Sequence, residues 1–472
     1  MISHLVEPII YKWPTYSRFS EPHKGGHNSP VGSEDLDRFA VLVRDRLRLR
    51  AGRESPSRRL AGALSDLARS GALAPGGRLP SERDLARVLG LSRGTVAAAL
   101  NALCEEGLFE RRHGSGTYLR DTAPAGTPSF MGLLRPGAVL ADLSASVVPD
   151  PSHLTLPPID VAELLLTPSG TGYDPMGDAR LRALLGGDVL ITGGAQQGVY
   201  LAARVLLRPG DRVLVEDPTY AGALTVFNRV GAHAVAADLA DPGEARAAVR
   251  RHRPRMIYVV SVNNPTGAVA DLGHLAELAR AADIPIVEDR TLADLVFEGD
   301  PPPSLAAGHP YGTVTVGSLS KVLWGGLRVG WLRAPEPLLA RLAETKQDAD
   351  LATSAVSQRL AAELIERNPV GPWRAELARR RDHLAAALAA ALPDWTWRRP
   401  SGGLSLWVRL PGVDTDRFAT VARRHGVAVA PGSLFSPDGR HRDRLRLSFA
   451  LPPALLDQAV SGLAAAWRER DR

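Results

Sequence analysis

The sequence predicts two folded domains in series: an α+β winged helix-turn-helix at residues 33–120 and an α/β domain with a mainly parallel sheet at residues 139–472. Two patterns carry this reading. Between Ser81 and Leu119, two capped helical runs with apolar stripes meet at Gly90 and are followed by a hairpin signature. Beyond residue 138, strand-like runs (DVLIT, RVLVED, MIYVVSV, IPIVED, TVTVGS) alternate with Ala- and Leu-rich helical runs, the rhythm of strands and crossover helices around a parallel sheet. A length of 472 residues with 44% hydrophobic content gives both domains material for a core.

Composition narrows the class. One cysteine, Cys104, excludes an intrachain disulfide framework and cysteine-based structural zinc sites, and no metal site is expected. The opening MISHLVEPII has no basic segment leading into a long apolar run, and no stretch reaches the ~20 apolar residues of a membrane helix, so a cytoplasmic location is expected. A net charge of +6 is compatible with nucleic acid without arguing for it. Only four lysines stand among the 57 basic residues, Lys12, Lys24, Lys321 and Lys346. A lysine within a Gly- and Leu-rich segment therefore calls for a chemical reason.

Residues 1–32 have no sustained periodicity and read as a flexible extension. A helix is expected from Asp35 to Leu49 and another from Ser57 to Ser70, with Leu60, Leu64 and Leu67 on one face and Gly71 as its stop. Ser81 and Asp84 form an N-terminal capping pair for a helix through Leu89, which Gly90 ends in the left-handed region. Ser92 caps the next helix. Its Val96, Leu100 and Leu103 face inward, while Arg93 and Thr95 point outward near its start. The first turn of such a second helix reads base edges in the major groove, where an arginine pairs bidentately with guanine. Gly94 leaves room for a phosphate at the positive end of the helix dipole. The run LFERR, a turn at His113–Gly116 and TYLR then predict the wing hairpin. Residues 121–138, rich in Thr, Ala, Pro and Gly, read as a linker.

The strings LPSERDLA, LSRGTV, LCEEGLFERR and GSGTYL, in this order, resemble the winged helix of the GntR superfamily. The resemblance implies operator contacts from Arg83, Arg93, Thr95 and the wing glycines Gly114 and Gly116. Arg78, Ser81, Ser92, Gly94, Arg112 and His113 complete the candidate DNA-facing set, with Arg78 and Arg111 taken singly reading as surface residues.

In the second domain, DVLIT runs into Gly193-Gly194-Ala195-Gln196-Gln197-Gly198 and an apolar helix, a start whose backbone N–H groups can cradle a phosphate. The spacing is imperfect for G-x-G-x-x-G, and no GK[ST] follows, so neither nucleotide motif accounts for what lies downstream. Gly317-Ser318-Leu319-Ser320-Lys321, with Arg328 shortly after, places the rare lysine beyond an apolar strand, beside hydroxyls and a cation. Desolvation and a neighbouring cation lower an amine's pKa, which suits a Schiff-base lysine, and Ser318, Ser320 and Arg328 can hold the cofactor's phosphate. Asp289 ends IPIVED, where a carboxylate can keep a pyridine nitrogen protonated. Asn264 in NNPTG can bond a ring hydroxyl, and Tyr220 in EDPTY can stack on the ring. Glu216 and Glu288 read as structural.

Together YDPMG, TGGAQQG, EDPTY, NNPTG, VED and SLSK with GLRVG resemble the fold-type I aminotransferases over roughly residues 140–465, a fold with a small C-terminal subdomain. The resemblance implies pyridoxal 5'-phosphate on Lys321, with Asp289 at the pyridinium, Asn264 at the ring oxygen and Tyr220 stacked. It implies Gly194, Ala195, Gln196, Ser318, Ser320 and Arg328 around the phosphate. Arg446 would receive an amino acid's carboxylate, and Tyr173 would reach the phosphate of a partner subunit, hence a dimer. Three departures stand out: Thr291 and Leu292 replace the tyrosine usual two or three residues after the aspartate, the connection from Arg182 to Ile191 is short, and Gly325 replaces a proline.

A GntR-type winged helix fused to such a domain resembles the MocR subfamily of regulators, whose architecture implies a head-to-tail, domain-swapped homodimer. The function expected is a DNA-binding transcription regulator whose operator affinity responds to pyridoxal phosphate or an amino acid or amine effector. The competing expectation is a working class I/II aminotransferase with an accessory DNA-binding domain; the missing tyrosine argues for partial transamination at most.

Overall fold

The computed structural model describes residues 36, 39–41, 43, 44, 47, 55–69, 77–105, 109–112, 116–119, 139–158, 160–166 and 170–470. The chain divides into two units, Met1–Ala125 and Gly126–Arg472. The extension expected at 1–32, the linker at 121–138, and Gly71, His113 and Gly114 lie outside the described residues.

In the first unit the described residues between 36 and 47 are helical. Helix α1, Pro56–Arg69, turns Leu60, Leu64 and Leu67 inward. Helices α2 (Glu82–Leu89) and α3 (Arg93–Glu105) flank a turn in which Gly90 adopts φ 67°, a left-handed conformation that costs a glycine little. Strands β1 (Phe109–Arg112) and β2 (Gly116–Leu119) pair antiparallel from Phe109↔Leu119 to Arg112↔Gly116. Residues 77–79 join them, since Leu79 N donates to Thr117 O at 2.8 Å and Leu119 N to Gly77 O at 2.9 Å. One core holds these pieces: Leu64, Leu85, Val96, Leu100 and Phe109 are fully buried. Each such side chain contributes roughly 1.5–3 kcal/mol.

The second unit is built on a seven-stranded sheet in the order β4-β10-β9-β8-β7-β5-β6. These strands are β4 (Leu190–Thr192), β5 (Arg212–Val215), β6 (His233–Ala236), β7 (Met256–Val260), β8 (Ile286–Asp289), β9 (Thr313–Ser318) and β10 (Gly330–Arg333). All run parallel except β10, which is antiparallel to both neighbours. Strands β7, β8 and β9 are buried along their whole length, including the acids that end β8 and the hydroxyls of β9. The short connection into β4 closes through Gly186 (φ 92°) and Gly187 (φ 95°), with Arg182 Nε donating to Val189 O at 3.1 Å and Arg333 Nη2 to Leu185 O at 2.9 Å.

A smaller C-terminal layer is antiparallel, β11-β12-β15-β14, with β11 at Thr396–Trp397, β12 at Ser405–Arg409, β14 at Ala430–Pro431 and β15 at Arg444–Ser448. The strand β3, Ala141–Asp142, lies far ahead in sequence yet pairs in parallel with β13, Val427–Ala428. Leu143 continues the link by donating to Ala428 O at 2.9 Å and accepting from Ser448 N at 2.8 Å. Residues 141–148 are thereby tied to the small layer and reach the ends of the main strands.

Candidate functional site

In open α/β sheets, ligands bind beyond the carboxyl ends of the parallel strands. Here β4 leads into Gly193-Gly194, β8 ends at Asp289 and β9 at Ser318, while the chain after β7 leads to Asn264. These ends, with residues 145–148 and Arg446 from β15, enclose a cavity of about 520 Å³. The cavity brings together Ala195, Gln196, Tyr220, Asn264, Asp289, Ser318, Ser320, Lys321, Arg328 and Arg446, residues that lie up to 251 positions apart in the sequence.

Lys321 follows a tight turn. Ser318 Oγ donates to Ser320 Oγ at 3.0 Å and accepts from Ser320 N at 3.2 Å, and Trp373 Nε1 holds the Lys321 carbonyl at 3.2 Å. The ammonium donates to the carbonyl of Ser146. Burial, reinforced by the positive charges of Arg446 and Arg328 against the opposing carboxylate of Asp289, pushes the Lys321 amine down to about 8. Desolvation and a neighbouring cation are the two causes expected from the sequence, and burial is the larger of them.

Asp289 is buried and held from two sides. Thr291 N donates to Oδ1 at 2.9 Å, and the Tyr258 hydroxyl donates to Oδ2 at 3.0 Å. Burial raises the Asp289 carboxyl, opposed by its bonds to Thr291 and Tyr258 and by the charge of Lys321. Tyr258 was not picked out from the sequence. Its signal was one hydroxyl in the apolar strand MIYVV, in step with the inward Val260.

Arg446 is almost wholly buried. Nη1 donates to Asn264 Oδ1 at 3.1 Å, Nη2 donates to the Ser144 carbonyl, and the guanidinium lies 4.7 Å from the Phe435 ring centre. Its Nε has no hydrogen-bond partner among the described residues. Burial pushes Arg446 down to about 10, an unusual condition for a guanidinium. Because Asn264 accepts from Arg446, its amide NH2 remains the donor end.

At the opposite side Gly194 (φ 102°) opens helix α4, Ala195–Leu206. A Cβ at Gly194 would stand 2.9 Å from the mobile end of Arg328, Nη2, which donates to Gly193 O, and the φ of 102° is one that L side chains rarely adopt. Arg328 itself is left-handed at φ 53°. The Tyr220 hydroxyl donates to Gln196 Oε1 at 3.0 Å, and burial raises it well above a free phenol, so it stays neutral. Tyr173 is 62% exposed and is not part of this cavity wall. Glu216 and Glu288 are not in the cavity wall and bond to backbone and neighbours: Glu216 accepts from Val260 N at 2.8 Å, and Glu288 pairs with Arg290 at 2.8 Å.

The first unit presents a different surface. Arg83, Arg93 and Gly94 are exposed. Ser81 Oγ caps α2 by accepting from Asp84 N at 3.1 Å, and Ser92 Oγ caps α3 by accepting from Thr95 N at 3.0 Å. The hydroxyls of Ser92 and Thr95 also share a bond of 2.8 Å, which directs Thr95 back onto its own turn. Arg78 is exposed beside the wing: its backbone bridges Tyr118, and a Cβ at Gly116 would come within 3.2 Å of its Nε. Arg111 instead pairs with Glu82 at 2.7 Å, consistent with a surface role. Arg112 pairs with Gly116 across the hairpin. No helix among the described residues is long and apolar enough to cross a membrane, and no metal-binding cluster occurs among them.

Comparison with known proteins matches residues 179–463 to the family "Aminotransferase class I and II" and residues 56–119 to "Bacterial regulatory proteins, gntR family". An uncharacterised HTH-type transcriptional regulator of Bacillus subtilis, YisV, is 30% identical over 455 residues, covering 85% of this chain and 93% of the relative. The HTH-type transcriptional regulator TauR of Rhodobacter capsulatus is 32% identical over 295 residues, 60% of either chain. Among solved structures, the Thermus thermophilus α-aminoadipate aminotransferase LysN, complexed with N-(5'-phosphopyridoxyl)-L-leucine, superposes with a TM-score of 0.64 at 29% identity, over 73% of this chain and 95% of that one.

Proposed function

We propose that this chain, which belongs to the MocR subfamily of GntR-type regulators fused to a class I and II aminotransferase domain, is a cytoplasmic transcription regulator whose operator binding is set by pyridoxal phosphate and an amino acid or amine effector. Residues 33–120 bind DNA, 121–138 link, and 139–472 bind the ligands. The observation that carries the ligand reading is the convergence of Lys321, Asp289, Asn264 and Arg446 on one cavity.

The residues fit the cofactor. The glycine cradle at Gly194, the helix start at Ala195 and Gln196, Ser318, Ser320 and Arg328 suit a phosphate. Pyridoxal phosphate supplies an aldehyde and an electron-withdrawing ring. Lys321 would supply the amine for the aldehyde, Asp289 would hold a proton on the pyridine nitrogen, Asn264 would donate to the ring oxygen and Tyr220 would lie against the ring. The unpartnered Nε of Arg446 suits an incoming carboxylate. The exposed Tyr173 supports a head-to-tail homodimer in which it reaches the other subunit's phosphate. An effector acts by binding one conformation of the dimer more tightly than another.

Tyr258 sets how firmly Asp289 holds its charge. A hydrogen bond to a charged group contributes roughly 1.5–3 kcal/mol, so Tyr258→Phe is expected to weaken pyridoxal phosphate binding about tenfold, read by equilibrium dialysis. An unchanged affinity would detach Tyr258 from the cofactor.

DNA recognition rests on Arg93, exposed at the first turn of α3, with Arg83, Arg78, Gly94 and the wing around it. Arg93→Ala is expected to cost about 1–3 kcal/mol of specific binding, measured by fluorescence anisotropy on a duplex selected in vitro by the wild type, while cofactor uptake stays unchanged. The test of the whole reading is the same titration with and without bound cofactor and amino compounds. A ligand-dependent shift in DNA affinity supports it; sustained turnover of an amino acid with a 2-oxo acid and no such shift makes the chain a transaminase instead.

A further inference from the structure

Four charged side chains line the cavity: Asp289, Lys321, Arg328 and Arg446. In the proposed function each has a partner: the pyridine nitrogen, the aldehyde carbon, the phosphate and the effector's α-carboxylate. No charged group of this chain's described lining is left for a second ionic group on the effector. What remains around Lys321 and at the mouth is Ala145, Val147, Val148, Leu292, Trp324 and Gly325. Of the neutral polar groups, the Ser146 carbonyl receives Lys321 and Gln196 and Tyr220 bond to each other, while the Thr291 hydroxyl is buried without a partner among the described residues and carries no charge.

Trp324 gives this wall its character. It is 38% exposed, at the mouth of the cavity, and its ring lies against the backbone of Gly326, where a Cβ would come within 2.2 Å of the indole. Gly325 beside it would meet nothing within 4 Å, so the mouth is open next to the ring. An indole with one face packed and part of its surface free offers an effector side chain apolar contact that a solvated charge gains little from. Moving an ionised side chain onto such a wall removes hydration without returning a partner.

We infer that the effector is an α-amino acid with an uncharged, apolar side chain, branched or aromatic, and that Trp324 is the residue that selects it. The inference rests on the pyridoxal-phosphate reading of the same cavity. An acidic or basic amino acid, or an amine with an ω-anionic group, finds no second counter-charge among the described lining residues of this chain.

The test uses full-length protein loaded with pyridoxal phosphate. Changes in its visible band are titrated with L-leucine, L-phenylalanine, L-glutamate and L-lysine for wild type, Trp324→Ala and Trp324→Phe. Leucine or phenylalanine is expected to bind at least tenfold tighter than glutamate or lysine. Trp324→Ala should shrink that ratio below about threefold and keep the cofactor band, and Trp324→Phe should retain most of it, separating selection from a folding defect. Glutamate or lysine binding as tightly as leucine, a band that no amino acid perturbs, or a ratio unchanged in Trp324→Ala overturns the inference. A loaded wild type without a visible band removes the pyridoxal reading itself, and the inference with it.

Discussion

Lys321→Ala protein is expected to yield no covalent adduct at position 321 after borohydride treatment with pyridoxal phosphate, where the wild type carries one there by peptide mass mapping. The effect at the cavity is all or none because no other lysine lines it among the described residues; Lys346, the other lysine of this unit, is buried and paired with Asp350 at 2.7 Å. The same experiment has a pH signature. The neutral amine attacks the aldehyde, and an amine lowered to about 8 is half neutral there rather than at the ordinary 10.5. The adduct-forming rate should therefore rise with pH and reach half its maximum near pH 8. A midpoint above 10 would mean that Lys321 is solvated in the free protein, and equal trapping in wild type and Lys321→Ala would place the reactive amine elsewhere.

Gly330→Ala is the second large effect, although the change is a single methyl group. Gly330 opens β10, where its Cβ would stand 2.7 Å from Gly317 O and 2.8 Å from the Cα and carbonyl carbon of Gly194. All three are backbone atoms, so no side chain can rotate away, and the strand carrying Ser318 must separate from the loop carrying Gly194. Overpacking of this kind costs about 3 kcal/mol. A lower melting temperature together with a sharp loss of pyridoxal phosphate affinity is the expected result, by thermal unfolding and dialysis. Gly299→Ala is a control, since no atom lies within 4 Å of its added Cβ, though its positive φ brings backbone strain of its own. If Gly330→Ala binds cofactor no worse than Gly299→Ala, the cradle does not depend on that close approach.

The motifs were legible because their chemistry is local. A capped helix start such as Ser81 to Asp84, a glycine stop at Gly90, or a lysine three residues past a strand end writes its requirement into adjacent letters. The alternation of strand and helix likewise gave the parallel sheet and put Asp289, Asn264 and Ser318 at strand ends. What stayed hidden was long-range. Tyr258 meets Asp289 only because β7 and β8 are neighbours in register, Tyr258↔Val287 and Val260↔Asp289. Residues 144–148 looked featureless because they contribute carbonyls and apolar surface, and they reach the cavity through a strand pairing that spans most of the chain. Trp324 reads in sequence as one more apolar residue, and only the packing against Gly326 and its exposure distinguish it. Thr95 adds a local detail that spacing alone does not give, since its hydroxyl shares a bond with that of the exposed Ser92 at 2.8 Å.

The stretch after β3 has a consequence for affinity. Its carbonyls at Ser144 and Ser146 already accept from Arg446 and Lys321, the two cations on which the proposed effector and cofactor would draw. An incoming carboxylate or aldehyde therefore enters as a rival to the chain's own backbone rather than into an idle site. Ligand affinity is then a difference between two sets of bonds, and it can be tuned without altering any group that touches the ligand. Substitutions that loosen the pairing of Ala141–Asp142 with Val427–Ala428 would weaken the incumbent and favour the challenger.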